Sequence, residues 1–249
     1  MATNYAVPAL DKALDILELL AGHAGGLGQA QVAEAVGRTV GEIFRVLQTL
    51  ERRGFILRER QSGLYVLSTR MLELANQHPP LRGLVQAASD PMRRFAQETR
   101  QSCNLSTLES TVVRVIAHAE SPADFGFRVR VGAGFPAAST STGIVLLAFA
   151  EPDTLDFARA ELAVHGTDLV VLDERIAAAR ERGWASDPDP RQEGILDIVY
   201  PVFGRSPHAV AAFTVPYLAT SYSEVDAGDV LTRAAGTAAE ISRVVQGGA

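Results

Sequence analysis

The chain has 249 residues, of which 47% are apolar and 21% are charged, and it carries a net charge of −6. This composition is typical of a globular protein of one or two domains and excludes collagen-like, low-complexity and disordered chains. The negative net charge argues against adhesion of the whole molecule to nucleic acid or membranes. Apolar runs fall well short of the roughly 20 residues that a membrane-spanning helix needs. The single cysteine, Cys103, excludes an internal disulfide, and we expect a cytoplasmic protein with no secretory signal and no membrane partner.

Charge is distributed unevenly along the chain. Residues 1–70 carry 8 basic and 7 acidic side chains, whereas residues 71–249 carry 15 basic and 22 acidic side chains. Six arginines fall within residues 38–60, together with three glutamates. A locally basic stretch on an acidic protein indicates a small nucleic-acid-binding module joined to a domain of another kind.

Three helices are predicted at the N-terminal end. Residues 10–17 place apolar side chains at the i, i+3, i+4 and i+7 positions of a helix, and a shorter helix is predicted over 29–36. A third helix is predicted over 39–53, because Thr39 and Glu42 have the spacing of a capping box and Gly54 provides a stop. Residues 55–60 and 64–67 then read as the two strands of a hairpin.

This order of elements predicts a winged helix-turn-helix, whose third helix enters the major groove of DNA. The apolar stripe of that helix packs inward, so its polar side chains face outward toward DNA. We expect the hairpin tip to lie beside the phosphates, with Arg58 and Arg60 on the same side of their strand. The candidate DNA-binding residues are Arg38, Thr39, Glu42, Arg45, Gln48, Arg58 and Arg60.

Two of these residues have more than one interpretation. Glu42 can accept a hydrogen bond from a cytosine amino group, but the capping box explains it without DNA, and we favour the cap. Arg45 can bind guanine or a phosphate, and we favour the phosphate because phosphate contacts outnumber base contacts.

From Met71 onward the pattern changes to strands with helices grouped around them. A linker helix is predicted over 81–100, after a break at 77–80, with Pro91 kinking or restarting it. Strands are predicted over 102–108, 111–118, 126–131, 195–203 and 209–215, and helices over 142–150, 153–164, 173–182 and 223–246, the last of these capped by Ser223. Neighbouring strands in one sheet with helices on its faces are typical of an α+β fold.

Seven stretches of the chain carry a resemblance to a known family. They are residues 9–17 (ALDKALDIL), 31–37 (QVAEAVG), 45–55 (RVLQTLERRGF), 63–67 (GLYVL), 132–149 with Pro136, Thr140, Gly143 and the run LLAF, 183–185 (GWA) and 193–195 (EGI). In this order they resemble the isocitrate lyase regulator (IclR) family of bacterial transcription regulators over nearly the whole chain. The chain departs from the family at the start of the recognition helix, where Val40-Gly41-Glu42 replaces a run similar to Lys-Ser-Thr.

The resemblance implies a three-part chain. Residues 1–70 correspond to a winged helix-turn-helix DNA-binding domain, residues 71–100 to a linker helix region, and residues 101–249 to a GAF-like effector-binding domain with a central sheet flanked by helices. It further implies a homodimer or dimer of dimers that binds palindromic double-stranded operator DNA and a small-molecule effector, without a cofactor. The implied function is that of a ligand-responsive, sequence-specific DNA-binding transcription regulator.

The run of hydroxyl side chains before Gly143 is a candidate anion site. Four hydroxyls and the unpaired amides of a helix N-terminus favour negative charge, so we expect the effector to be a carboxylic acid. A plain capped helix is the alternative. The family usually has a basic residue directly after this glycine, where this chain has Ile144.

The strand over 195–203 contributes to the same expected site. Asp197 and Pro201 share one of its faces, and the resemblance places Pro201 toward the effector. Asp197 stands where the family often has cysteine; it can bind the ligand, pair with Arg128 or Arg130, or lie at the solvated end of the sheet. With Asp187 expected in the loop before this strand, the candidate ligand-binding residues are Thr140, Ser141, Thr142, Gly143, Asp187, Asp197, Pro201, Thr214 and Pro216.

An enzyme is not indicated. The five histidines have no metal-ligand spacing, and Cys103 with His118 lacks a third group that would orient a nucleophile and its base. We therefore predict no catalytic residues and no metal site. The alternative function is a small-molecule-binding or enzymatic α+β protein whose winged helix mediates only protein contacts, and the salt dependence of DNA binding separates the two.

Overall fold

A computed structural model describes residues 7–188, 193–219 and 225–247. The chain divides into two compact units, Met1–Pro79 and Pro80–Ala249. Among the described residues, no helix combines the length and the apolar character that crossing a membrane requires.

The N-terminal unit is a winged helix-turn-helix, as the sequence predicts. It contains α1 (Pro8–Ala21), α2 (Gln29–Ala35), α3 (Val40–Arg52), β1 (Ile56–Arg58), β2 (Tyr65–Leu67) and α4 (Arg70–Gln77). The three N-terminal helices and the hairpin enclose one apolar core, in which Ile16, Ile43, Leu47 and Ile56 are fully buried. The turn between α2 and α3 depends on Gly37, whose φ of +64° is a conformation that side chains with a Cβ rarely adopt.

The start of α3 is fixed by a network of polar contacts. The Thr39 hydroxyl accepts from the Glu42 amide, and the Glu42 carboxylate accepts from the Thr39 amide at 2.9 Å. Lys12 of α1 adds an ion pair with Glu42 at 3.1 Å. The two unpaired amides are thereby satisfied, and α1 is attached to the first turn of α3.

The hairpin is shorter than the sequence predicts. Ile56 lies opposite Leu67, and Arg58 lies opposite Tyr65. Residues 59–64 form the connecting turn, because the Glu59 amide donates to Leu64 and the Gly63 amide donates to Glu59. The prediction that Arg58 and Arg60 share a strand face is therefore wrong, since Arg60 lies in the turn.

The C-terminal unit is an antiparallel sheet covered on both faces. Its strands are β3 (Cys103–Glu109), β4 (Val112–Ala119), β5 (Gly134–Pro136), β6 (Ala185–Pro188), β7 (Ile195–Phe203) and β8 (Ala209–Leu218). They form one sheet of order β5-β4-β3-β8-β7-β6. The helices are α5 (Pro79–Thr99), α6 (Ser141–Ala148), α7 (Pro152–Val164), α8 (Leu169–Arg182) and α9 (Ala227–Gly247). The α+β fold is confirmed.

Each face of the sheet has its own apolar core. On one face, α5 and α9 pack on β3, β7 and β8 around Phe213, which meets Phe95 edge to face at 5.2 Å. On the other face, α6, α7 and α8 pack around Val199 and Ala212. Helix α5, which contains the predicted linker helix, therefore packs into the C-terminal unit through its own apolar side chains.

Three predicted elements need correction, and one helix is absent from the prediction. Residues 126–131 are irregular instead of a strand, because Gly132 turns the chain with a φ of +88° and pairing with β4 begins only at Gly134. The sequence does not predict α4, a short helix that buries no residue. Asp168 caps α8 and starts it at Leu169, ahead of the predicted 173. Helix α9 begins at Ala227, and its predicted cap, Ser223, lies outside the described residues.

The cap of α3 makes the stability of the N-terminal unit depend on pH. The backbone hydrogen bond from Thr39 and the Lys12 ammonium lower the pKa of Glu42 from 4.5 to about 2. Because the pKa of Glu42 is lower in the folded protein than in the unfolded chain, the ionised carboxylate stabilises the fold at any pH above about 4.5. This stabilisation is lost as the pH falls from about 4.5 to about 2. Glu42→Gln keeps the geometry of the cap but removes the charge. We expect its melting temperature to lie below that of the native protein at neutral pH and to converge with it by about pH 2.

The control for this measurement is Glu51→Gln, which removes one carboxylate from the same helix. The change in melting temperature of Glu42→Gln is compared with that of this control, which lacks a carboxylate outside the cap. A Glu42→Gln difference that does not shrink with falling pH would show that the charge of Glu42 contributes nothing.

Candidate ligand cavity and nucleic-acid interface

A cavity of about 450 Å³ opens on the face of the sheet that carries α6. Strands β3, β4, β7 and β8, the start of α6 and the segment from 127 to 135 form its walls. Its lining residues are Asn104, Ser106, Val113, Val115, Phe127, Arg128, Val129, Arg130, Ala133, Gly134, Phe135, Thr140, Thr142, Asp197, Thr214 and Pro216. The volume lies within the range of small-molecule sites in proteins, roughly 300–1,000 Å³.

The cavity has a polar floor within an otherwise apolar face. Five polar side chains that line it are more than nine-tenths buried, namely Asn104, Ser106, Thr142, Asp197 and Thr214. The hydroxyls of Thr142 and Thr214 lie 2.9 Å apart, and the Ser106 hydroxyl donates to the Asn104 amide oxygen at 3.1 Å. These contacts hold the side chains in fixed orientations, so the floor offers preorganised hydrogen-bonding groups.

Two arginines bring positive charge to the cavity. Arg128 and Arg130 both line it and are exposed to solvent. The segment that carries them is irregular, and its end is held to β4 by the hydrogen bond from Gly132 to Val115. Opposite charges therefore line the same cavity, because Arg128 and Arg130 are exposed and Asp197 is buried.

The start of α6 is a capped helix. Thr140 is the cap residue, and its hydroxyl accepts from the Gly143 amide at 3.0 Å. The prediction that the backbone amides at this helix start are unpaired is therefore wrong for the amide of Gly143. Thr140 and Thr142 line the cavity, whereas Ser141 is buried beside β6, where its hydroxyl donates to Asp187 at 3.4 Å.

Gly143 is required by packing. A Cβ at this position would overlap the backbone of Ala137, in the 3₁₀ turn that precedes α6. The absence of a side chain lets the first turn of α6 lie directly against that turn.

Two further predicted ligand residues lie outside the cavity lining. Asp187 is part of β6, not of a loop as predicted, and lies opposite Asp197 on β7. Its carboxylate is 3.8 Å from the Arg175 guanidinium of α8, which offsets the repulsion between two facing carboxylates. Pro201 is buried in β7 opposite Ala212. The cavity therefore brings together Thr140, Thr142, Asp197, Thr214 and Pro216.

The sequence analysis missed the contribution of β3. Asn104 and Ser106 alternate with Cys103 and Leu105, which are fully buried in the opposite core. Alternation of apolar and small polar residues along β3 is the sequence signal that could have predicted a buried polar site at Asn104 and Ser106. Asn104 lies opposite His118, whose two ring nitrogens are buried without a hydrogen-bond partner among the described residues. Burial lowers the pKa of His118 below its ordinary value.

Cys103 is fully buried in the core of the C-terminal unit. Burial raises the pKa of its thiol, and its sulfur lies 3.6 Å from the Met92 carbonyl oxygen. A protonated, buried thiol is a packing group.

In the N-terminal unit, the outer face of α3 carries part of the predicted DNA-binding set. Arg45 and Gln48 are exposed on this face together with Thr49 and Arg52. Glu42 is held by Thr39 and Lys12, which agrees with its interpretation as a cap. Arg38 is exposed in the turn before α3.

The remaining two arginines of the predicted DNA-binding set, Arg58 and Arg60, lie in the hairpin. The Arg58 Nε donates to the Gly63 carbonyl at 3.2 Å, and its guanidinium lies over the Tyr65 ring at 5.6 Å. Arg60 is exposed in the turn. Both cations therefore lie at the tip of the wing, although not on one strand.

Two family models match the chain. Residues 81–243 match the model described as bacterial transcriptional regulator IclR C-terminal, and residues 9–60 match the IclR helix-turn-helix domain. The chain is 31% identical over 219 residues to the glycerol operon regulatory protein of Streptomyces griseus, covering 86% of this chain and 85% of the relative. It is 26% identical over 228 residues to the transcriptional regulator KdgR of Escherichia coli K12, and this match covers 88% of this chain and 85% of the relative.

Solved structures share the fold along nearly the whole chain. IclR of Thermotoga maritima superposes with a TM-score of 0.73 at 23% identity, covering 95% of this chain and 98% of that one. An IclR homolog from Microbacterium hydrocarbonoxydans, complexed with 4-hydroxybenzoate, superposes with a TM-score of 0.77 at 20% identity, with the same coverage.

The two interpretations of Gly143, packing or ligand binding, predict different effects of substitution. Gly143→Ala should destabilise the C-terminal unit, because the new methyl group overlaps backbone atoms that cannot rotate away. The control is Gly236→Ala in α9, where a Cβ meets no atom within 4 Å. This control should gain about 0.5–1 kcal/mol from helix propensity. Urea unfolding of both variants without ligand measures the difference; equal stability of the two variants would contradict the packing role.

Proposed function

The chain belongs to the IclR family of bacterial transcriptional regulators, and on that premise we propose which of its residues bind DNA and which bind the effector. The protein is a ligand-responsive, sequence-specific DNA-binding regulator and not an enzyme. Residues 1–70 bind DNA, residues 71–100 form the linker region and residues 101–249 bind the effector.

The outer face of α3 binds the major groove of operator DNA. Arg45 and Gln48 lie on that face and make no hydrogen bond or ion pair through their side chains within the described residues. They are therefore available to base edges and phosphates. Arg38 before the helix and Arg58 and Arg60 at the wing contact phosphates on either side. Thr39 and Glu42 contribute indirectly by fixing the first turn of α3.

The regulator binds its operator as a homodimer or a dimer of dimers. The N-terminal unit leaves several large apolar side chains exposed, including Leu10 and Leu14 of α1 and Met71 and Leu72 of α4. This exposed apolar surface supports association with a second copy of the chain, which a palindromic site requires.

The effector is a small carboxylic acid that also carries a hydroxyl group. The observation that supports this class is the cavity itself, which combines two arginines at its open side, apolar walls and a floor of buried hydroxyl, amide and carboxylate groups. The effector carboxylate is bound by Arg128 and Arg130, and its hydroxyl group by Thr142, Thr214 or Asp197. A carboxylate directed at the floor would face Asp197, which disfavours the reverse orientation. The 4-hydroxybenzoate bound by the Microbacterium homolog has the same two kinds of group.

The effector domain controls DNA binding because the effector binds with different affinity to the arrangement of the protein that holds the operator and to the arrangement that releases it. Such a difference is required for any ligand response. A winged helix that served protein contacts alone would not need the steep salt dependence that phosphate binding produces.

The DNA contact is tested by Arg45→Ala, with Arg205→Ala as a control that removes one exposed arginine from the C-terminal unit. Binding is measured on a duplex selected from a randomised library. Loss of a phosphate contact should weaken all sequences alike and reduce the salt slope by about 1. Loss of a guanine contact should cost about 1–3 kcal/mol and relax specificity at one position. Native affinity in Arg45→Ala on the selected duplex would exclude Arg45 from the interface.

The effector contact is tested in two steps. A thermal-shift screen of small hydroxy acids, 4-hydroxybenzoate included, identifies acids that raise the melting temperature. Calorimetry then compares each acid with its carboxamide on the native protein, Arg128→Gln, Arg130→Gln and the control Arg205→Gln. Loss of one charged hydrogen bond, ~1.5 kcal/mol, should weaken acid binding about tenfold in either cavity variant and leave carboxamide binding unchanged. Equal losses for acid and carboxamide would place the carboxylate elsewhere.

A further inference from the structure

The recognition helix carries an exposed aromatic side chain that the DNA contacts above do not use. Phe44 is 46% exposed, although α3 buries Ile43, Leu47 and Leu50 in the core of the N-terminal unit. Val40, one helical turn earlier, is also 46% exposed. Residues four apart lie on the same side of a helix, so Val40 and Phe44 form a continuous apolar strip along one flank of α3.

The strip adjoins the face that meets DNA. At 100° per residue, Phe44 lies about 40° from Gln48 and about 100° from Arg45 around the helix axis. Both of these residues are exposed. Phe44 is the fifth residue of the helix, within the N-terminal half that reaches base edges in helix-turn-helix proteins. It is therefore placed among base-reading positions.

The opposite flank of α3 is not available for base contacts. Glu42 lies about 160° from Phe44 around the axis, and its carboxylate is occupied by Thr39 and by Lys12 of α1. In the first turns of α3, only the outer face and the flank that carries Phe44 are therefore available to contact base edges. The position three residues before Phe44 is Gly41, which is exposed and has no side chain to hold the helix away from a groove.

We propose that Phe44 is a specificity-determining residue of the DNA interface, and that its ring packs on the 5-methyl group of a thymine in the major groove. This inference rests on the proposed placement of α3 in that groove. Among the four bases, thymine alone presents an apolar group at the major-groove edge, and apolar side chains recognise it by contact. The positive charges of Arg45 and Arg52 on the adjoining face suit the phosphates that flank such a site.

The experiment removes the methyl group from the DNA and the ring from the protein. A duplex selected from a randomised library for tight binding to the full-length protein is prepared with each thymine in turn replaced by deoxyuridine, which differs only by that methyl group. Affinity is measured for the native protein, for Phe44→Ala and for Phe44→Leu, with Phe125→Ala as a control. Phe125 is 71% exposed and belongs to the C-terminal unit, so its substitution removes the same side chain from outside the winged helix-turn-helix.

For the native protein, deoxyuridine at one thymine in each half-site should weaken binding about fourfold, as expected for loss of one buried methyl group worth about 0.8 kcal/mol. Phe44→Ala should bind the thymine duplex more weakly and show no loss at that position, because ring and methyl contribute as a pair. Phe44→Leu should retain part of the discrimination, and Phe125→Ala should behave as the native protein. Since Phe44 is exposed, the melting temperatures of the variants should match that of the native protein.

Three outcomes would overturn the proposal. A full thymine preference in Phe44→Ala would assign the methyl contact to another residue. Native DNA binding in Phe44→Ala with a changed mass by light scattering would show that the ring packs against a second copy of the chain. Absence of any thymine whose methyl matters would exclude methyl reading. Failure of the native protein to select any sequence would instead reject the proposed operator binding itself.

Discussion

The C-terminal unit is organised around the burial of polar side chains on a sheet that is covered on both faces. Asn104, Ser106, Thr142, Asp197 and Thr214 are removed from bulk solvent, and buried polar groups are costly unless they are hydrogen bonded. Some of them satisfy one another, as the Thr142 and Thr214 hydroxyls do. The space above them remains open and is bordered by arginines, so a polar ligand can complete the site. Packing of α5 and α9 on the other face keeps the strands that carry these residues in register.

Local physical signals in the sequence predict most of the fold. The capping box of α3 and the Gly37 turn are complete within a few residues, and they identify the helix-turn-helix without tertiary information. The failures occur where tertiary contacts decide the structure. Residues 126–131 have strand-like composition, but the chain turns at the left-handed Gly132, and β5 begins only at Gly134.

The candidate cavity was predictable only in part, for the same reason. The hydroxyl run before α6 is visible in the sequence, yet packing divides it, so that Thr140 and Thr142 line the cavity while Ser141 binds Asp187. Asn104 and Ser106 reach the cavity through the pairing of β3 with β8, a contact across more than 100 residues of sequence. The charge of Arg45 marks it in the sequence, whereas the exposure of Phe44 becomes evident only when the buried stripe of α3 is known.

The proposed function requires that an effector bound in the cavity changes the affinity of α3 for DNA. Thermodynamic linkage requires this coupling to be reciprocal. The most direct measurement is calorimetric titration of an acid found by the thermal screen into the free protein and into the protein saturated with its selected duplex. The two ligand affinities should differ, and their ratio should equal the ratio of operator affinities measured with and without saturating ligand. Identical ligand affinity for the free and the operator-bound protein would contradict ligand-responsive regulation, because such a ligand cannot shift the DNA-binding equilibrium.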